Sequence, residues 1–310
     1  MPDLEILDAH AHVFPNEDRG LQYQADAIRA GRQPKYTGEI GQLARVMADL
    51  GVSHTVMLMY MPTRYMHEAR MKRQEVPNDP AERERMESAS KQMMVQRMLE
   101  YNEWGITAIN EYPQFSTFAG LDPVYMDEET LRGEIRDKVS RGARGVKIVL
   151  RALAIYPDDR RLWPVYEEIS RLGVPITAQV GKQGEAGDRG PYANPALFAR
   201  ALEEFPDLRV QAVHLGGGYE DEIVELCRRF PGFYTDLSSR LAEINNPESE
   251  LNAEWFADYI RTCGAEHVMY GTNFPGGDPA EYATLMRNLP LNDHELELVA
   301  NGNAKRFLRL

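Results

Sequence analysis

Leu4-Glu5-Ile6-Leu7-Asp8-Ala9-His10-Ala11-His12 is the stretch on which the reading of this chain turns. Its apolar beginning has the character of a buried strand, and it ends on two histidines separated by a single residue. Successive side chains on a strand point to opposite faces, so His10 and His12 share one face and can converge on one ion. Imidazole nitrogens suit zinc and its first-row neighbours. Asp8 lies on the same face, placed to orient an imidazole from behind.

Working outward, similar runs recur at residues 54–59, 115–121, 143–150, 174–180, 209–215, 233–237 and 267–271. Several are apolar without alternation, such as Val146-Lys147-Ile148-Val149-Leu150 and Val210-Gln211-Ala212-Val213. That is the pattern of strands covered on both faces of a parallel sheet. Amphipathic helical patterns lie between them, at 128–140, 160–172, 195–204, 219–230 and 254–263. Repeated strand–helix alternation predicts a single (β/α)8 TIM barrel over 1–310. An open doubly wound sheet is the runner-up, but no Gly-x-Gly-x-x-Gly follows the first strand.

One connection is too long for a plain barrel loop. Residues 60–114 hold Pro77, Pro80 and a helix expected over about 81–104, with Met86, Met93, Met94, Met98 and Tyr101 on a largely apolar stripe. The segment reads as a helical insertion, either packed on the barrel wall or serving as a lid with an adaptable Met face. Residues 181–192, with four glycines, are expected to form a mobile loop after the fifth strand.

Composition narrows the classes. The chain has 310 residues, 43% hydrophobic and 27% charged, with a formal net charge of −13. Such an acidic balance argues against a nucleic-acid partner. No run of about 18 apolar residues suggests a membrane span. No basic, then apolar, leader opens the sequence. Cys227 and Cys263 have no Cys-x-x-Cys spacing and read as buried thiols, which suits a cytoplasmic location.

Catalytic groups of such barrels project from the C-terminal ends of the strands. His214 stands there after Val-Gln-Ala-Val, Asn273 stands within Tyr-Gly-Thr-Asn-Phe-Pro, and Lys147 lies inside an apolar run where a charge requires a partner. Cations follow other strands: Arg64, Arg151, Lys182 and Arg240. In an acidic chain this bias points to a small anionic substrate, a carboxylate. The alternative is ion pairing with Asp236, Glu111 or Asp122.

Taken in order, these motifs resemble the amidohydrolase-related (amidohydrolase 2) enzymes, the group of the aminocarboxymuconate-semialdehyde decarboxylases and related hydrolases and hydratases. The resemblance covers nearly the whole chain. It rests on Asp-Ala-His-Ala-His, Gly-Val-Lys-Ile, Val-His-Leu-Gly-Gly, Tyr-Thr-Asp-Leu-Ser, Tyr-Gly-Thr-Asn-Phe-Pro and the closing Asn-Gly-Asn-Ala-Lys-Arg-Phe-Leu. It implies metal ligation by His10 and His12 and proton transfer by His214. The family also uses a metal-binding histidine on the fifth strand and, on the eighth, an aspartate that serves the metal and the nucleophilic water. This chain has Gln179 and Asn273 there, neutral amides that bring no negative charge and no general base.

The resulting expectation is a hydrolase of the amidohydrolase type acting on a small, carboxylated molecule. His214, Asn273 and Lys147 form its catalytic set, and Arg64, Arg151, Gln179 and Arg240 hold substrate. A divalent metal, zinc first, sits on His10 and His12, with metal-free operation standing beside it. A non-oxidative decarboxylase or other carbon–carbon lyase is the alternative, and an inactive ligand-binding barrel the third. A homodimer is the default assembly.

Overall fold

The computed structural model describes residues 4–75, 77–182 and 192–310. Eight strands run parallel in sequence order. They are β1 (Ile6–Ala11), β2 (Val52–Leu58), β3 (Phe115–Gly120), β4 (Gly145–Val149), β5 (Ile176–Gln179), β6 (Val210–Ala212), β7 (Phe233–Asp236) and β8 (Val268–Met269). Each pairs with the next, and helices form the crossovers. Main-chain bonds then close the ring from β1 to the chain just past β8. Ala9 N donates to Tyr270 O at 3.0 Å, Asn273 N to His10 O at 2.8 Å and His12 N to Phe274 O at 2.7 Å. The fold is therefore the expected (β/α)8 barrel. β8 is shorter than its sequence run, because residues 265–267 form a 3-10 turn before it.

The chain after β8 staples this seam. Asn301 Nδ2 donates to Glu5 O at 2.9 Å, and Asn303 Nδ2 to Val268 O at 2.7 Å. A cluster distinct from the main core joins Leu7, Val56, Phe118, Tyr234 and Met269 to Phe307 and Leu308 of the helix Asn303–Leu308.

Residues 60–114 form a helical insertion of two helices, Thr63–Lys72 and Pro80–Glu111. The second begins where capping chemistry dictates: Asp79 accepts from Ala81 N, and Pro80 needs no N–H in the first turn. It continues seven residues beyond the expected end at 104, because Gly105 does not stop it. At that glycine the helix lies tightly against the sheet. A Cβ there would sit 2.6 Å from Thr117 Oγ1 of β3. Met94, Met98, Asn102 and Gly105 are buried on this face, whereas Met86 and Met93 are only half-covered. Asn102 fixes the position by exchanging two hydrogen bonds with the Gly120 backbone, at 2.8 and 2.9 Å.

Cys227 and Cys263 are both buried and free. Among the described residues no helix is long and apolar enough to cross a membrane. Most of the glycine-rich 181–192 segment lies outside the described residues.

Candidate active site

Three histidines meet at the C-terminal ends of β1 and β6. His10 and His12 leave β1 on one face, as the two-residue spacing requires. His214 opens a turn in which it and Leu215 adopt left-handed φ of 62° and 53°. Ser239 and Asn273 share that conformation, at 59° and 58°. So four of the six such non-glycine residues among those described crowd the ends of β6, β7 and β8. Asn tolerates this backbone better than most residues. Strain held at one rim of a scaffold is a mark of a working site.

The imidazoles are oriented alike. His10 Nδ1 faces Asp236 Oδ2 at 3.1 Å, His12 Nδ1 faces the Leu58 carbonyl at 3.2 Å, and His214 Nδ1 faces the Ser238 carbonyl at 3.0 Å. Each partner is an acceptor, so each Nδ1 carries the proton and each Nε2 presents a lone pair. His10 Nε2 and His12 Nε2 lie 3.3 Å apart. Two lone pairs at that separation repel unless a cation lies between them. Ligands about 2.05 Å from one tetrahedral ion stand about 3.3 Å apart. Burial lowers the pKa of both rings, which works against a shared proton as that cation. The pair thus fits a divalent metal, and its outer bonds to a carboxylate and a carbonyl are those that metal-bound histidines make.

Asp236 organises this arrangement. Its Oδ2 accepts from His10 Nδ1 and, at 2.5 Å, from Gln211 Nε2. Its Oδ1 accepts from His214 N at 3.1 Å, Ser238 N at 3.0 Å and Ser238 Oγ. Burial alone would push this carboxyl up. The facing His10, with His214 and the Ser238 bond, overturns that and holds it well below the usual carboxylate range. Donor atoms of His10, His214 and Asp236 lie within 4.8 Å of one another. With every lone pair of Asp236 engaged, however, it supports the histidines better than it could ligate. Asp8 is similarly engaged, by His10 N at 3.0 Å and by Thr272 N and Oγ1 at 3.0 and 2.5 Å. Its burial pushes it up to about 7, against those bonds. A metal on His10 and His12 thus gains no free carboxylate from Asp8 or Asp236.

Lys147 is the opposite case. It is 1% exposed, and its Nζ has no hydrogen-bond partner among the described residues. Burial brings it down to about 7, opposed only by the Asp236 charge. Its own charge is felt at His10, His12 and His214. His214 falls to about 3 through burial first and His10 second, so at neutral pH it is an uncharged base.

The arginines are placed differently. Arg64 donates to Ala152 O at 2.8 Å and Arg151 O at 3.4 Å, and Arg151 donates to Gly181 O, so both tie strand-end loops together. Arg240 pairs with Glu220 at 3.3 Å. Gln179 is half-buried at the end of β5, and Asn273 donates Nδ2 to Ser239 Oγ at 2.8 Å. Asp122, another candidate partner for the cations, accepts from Thr63 Oγ1 at 2.6 Å instead. Sequence reasoning missed Gln211 and Ser238 altogether. A glutamine inside Val-Gln-Ala-Val is as conspicuous as the lysine inside Val-Lys-Ile-Val, and it was the available signal. His54, His67 and His267 bond to Ser116, Ser90 and the Phe233 carbonyl, as structural histidines do.

The chain is thus a (β/α)8 barrel with a strand-end histidine cluster, two of whose lone pairs are spaced to share one cation. The chain belongs to the amidohydrolase family whose model, Amidohydro_2, matches residues 7–310. No curated protein matches it. Among solved structures it is similar to an uncharacterized TIM-barrel protein from Bordetella bronchiseptica, with 21% identity, a TM-score of 0.71 and 99% of each chain covered. It is similar to 5-carboxyvanillate decarboxylase from Sphingomonas paucimobilis, with 17% identity, a TM-score of 0.68 and 99% of each chain covered. A dihydroxybenzoic acid decarboxylase from Polaromonas sp. JS666, solved with manganese and 2-nitroresorcinol, shares 15% identity at a TM-score of 0.67, over 99% of this chain and 97% of that one. At such identities the likeness is one of fold.

Proposed function

We propose that the protein is a non-oxidative decarboxylase of a small, hydroxylated aromatic carboxylic acid. The observation that carries this is Lys147, a buried amine whose Nζ has no hydrogen-bond partner among the described residues, beside histidines and within reach of the Asp236 charge. A desolvated ammonium of this kind recognises an anion. Two of the similar structures are decarboxylases of aromatic acids, which agrees with the choice.

The chain's own residues divide the work. His10 and His12 would hold the divalent cation, which when bound supplies stabilisation of negative charge on a substrate oxygen. Asp236, braced by Gln211, and Ser238 keep His10 and His214 in the required tautomer, and the Leu58 carbonyl does so for His12. Lys147 receives the anionic substrate. The bond between ring carbon and carboxylate breaks, carbon dioxide leaves, and the electron pair stays on the ring carbon until a proton is delivered there. A proton from water would reach that carbon through His214 Nε2, the hydroxide being taken up by carbon dioxide as bicarbonate, and the ring's lowered basicity makes it, once protonated, a strong acid.

Hydrolysis, the expectation that led the sequence reading, keeps one supporting observation, since a neutral His214 can also take a proton from water. The products separate the two. Manganese-loaded protein should release carbon dioxide from at least one ortho-hydroxybenzoate in a panel that includes 2,6-dihydroxybenzoate and 5-carboxyvanillate, and Lys147→Met should lose that release. No carbon dioxide from the panel, with hydrolysis of a carboxylated amide or lactone instead, overturns the proposal.

A further inference from the structure

Beside His12 the barrel mouth is walled by stacked rings. Tyr101 lies parallel to Trp104, at 5.6 Å and 4° between planes, and to Phe14, at 6.1 Å and 8°. Phe14 meets Tyr23 at 5.1 Å, Tyr23 meets His12 at 5.3 Å, and Tyr60 comes to 6.3 Å from His12. Tyr101 is pinned by its hydroxyl, which donates to Val13 O at 2.6 Å. Apart from His12, these rings line a cavity of about 560 Å³. That size is ordinary for a small-molecule site, which spans roughly 300–1,000 Å³.

Two cations line the same cavity, Arg19 and Arg97. Neither guanidinium has a hydrogen-bond or ion-pair partner among the described residues. The acids on that wall are engaged elsewhere: Asp26 with Arg29, and Glu100 with Gln96. Aromatic faces favour a planar π-system, and paired guanidinium forks favour a carboxylate. Tyr23 and Tyr60 line the cavity and pack against His12 of the metal-ready pair, so the cavity lies one ring away from that pair.

We infer that this cavity is a specificity slot for the distal part of the substrate. It selects a flat aromatic ring bearing a second acidic group, which Arg19 and Arg97 take, apart from the carboxylate received by Lys147. This rests on the aromatic-acid reading above and extends it to a diacid. The slot draws on the loop after β1, the chain after β2 and the helix Pro80–Glu111, so the helical insertion acts as a wall of the substrate site.

The test is binding, which needs no turnover. Benzoate, benzene-1,3-dicarboxylate, benzene-1,4-dicarboxylate and glutarate are titrated into manganese-loaded protein, by calorimetry and by quenching of Trp104 fluorescence. The better benzene dicarboxylate is expected to bind about tenfold or more tighter than benzoate, the scale of one charged hydrogen-bonded contact, and tighter than glutarate. Arg19→Gln with Arg97→Gln should erase the advantage over benzoate, and Trp104→Leu the advantage over glutarate. A dicarboxylate preference that persists in the double arginine variant overturns the inference, as does saturation without any change in fluorescence that Trp104→Leu abolishes. An arginine-dependent preference with no carbon dioxide from any aromatic acid leaves the slot standing and removes the decarboxylase reading. Release of carbon dioxide without arginine dependence does the reverse.

Discussion

Replacing Lys147 with methionine should make the metal-free protein more stable while removing its function. Methionine keeps most of the volume and removes the ammonium. Lys147 descends from the usual 10.5 to about 7, so the folded state releases a proton that the unfolded chain retains. At about 1.4 kcal/mol per pH unit the full interval is worth about 5 kcal/mol. In the parent protein the cost of holding this lysine is about 4 kcal/mol at pH 7 and about 2 kcal/mol at pH 9. Between pH 7 and 10.5 the unfolded state binds the extra proton, so parent stability rises with pH across that window through this group. The methionine variant lacks that rise. Urea denaturation in chelator-containing buffer should therefore place its midpoint above the parent's by roughly 1 M at pH 7, with the gap about halved at pH 9. A variant less stable than the parent at pH 7, or a gap indifferent to pH, would refute the reasoning, since a satisfied Nζ costs the fold nothing.

Asn273→Asp should raise manganese affinity by at least about tenfold in calorimetry, since it adds a carboxylate at a backbone already bonded to His10 O; unchanged affinity would mean that position 273 lies outside the ligand sphere. His214→Asn is expected to lower kcat by about 100- to 10,000-fold while leaving the affinity for a substrate acid nearly unchanged, which separates proton transfer from binding. Gly105→Ala drives a Cβ to 2.6 Å from Thr117 Oγ1 and 3.1 Å from Met59 Sδ, and should cost about 1–3 kcal/mol in thermal unfolding.

The barrel was legible because its determinants are local. Apolar runs without alternation, separated by amphipathic helices, specify parallel strands whatever their neighbours do. His10 and His12 were legible for the same reason, since a spacing of two on a strand is a statement about one face. Asp236 was read as a prospective partner for the strand-end cations, and its actual partners come from β1, β6 and its own loop. That convergence exists only once the ring closes. The arginines show the converse. Arg64 and Arg151 sit at the strand ends as expected, and Arg64 pairs with Glu68, yet both also bond to the carbonyls of Ala152, Arg151 and Gly181, a demand of loop backbones that no residue pattern displays. The aromatic wall was invisible because its members, from Phe14 to Trp104, are scattered over unrelated segments. The helix Pro80–Glu111 runs past the expected end at 104 because Gly105 is a point of close packing on β3.

The seam between β1 and the chain past β8 has a consequence for the order in which the molecule is made. His10 and the backbone that receives it, Tyr270 to Phe274, stand some 260 positions apart, and His10 is synthesised first. Until that segment has left the ribosome, Ala9 and His12 lack their main-chain partners and His10 O lacks the Asn273 amide. A nascent chain therefore lacks the seam that fixes the backbone of His10 and His12, however early its first helices and strands condense.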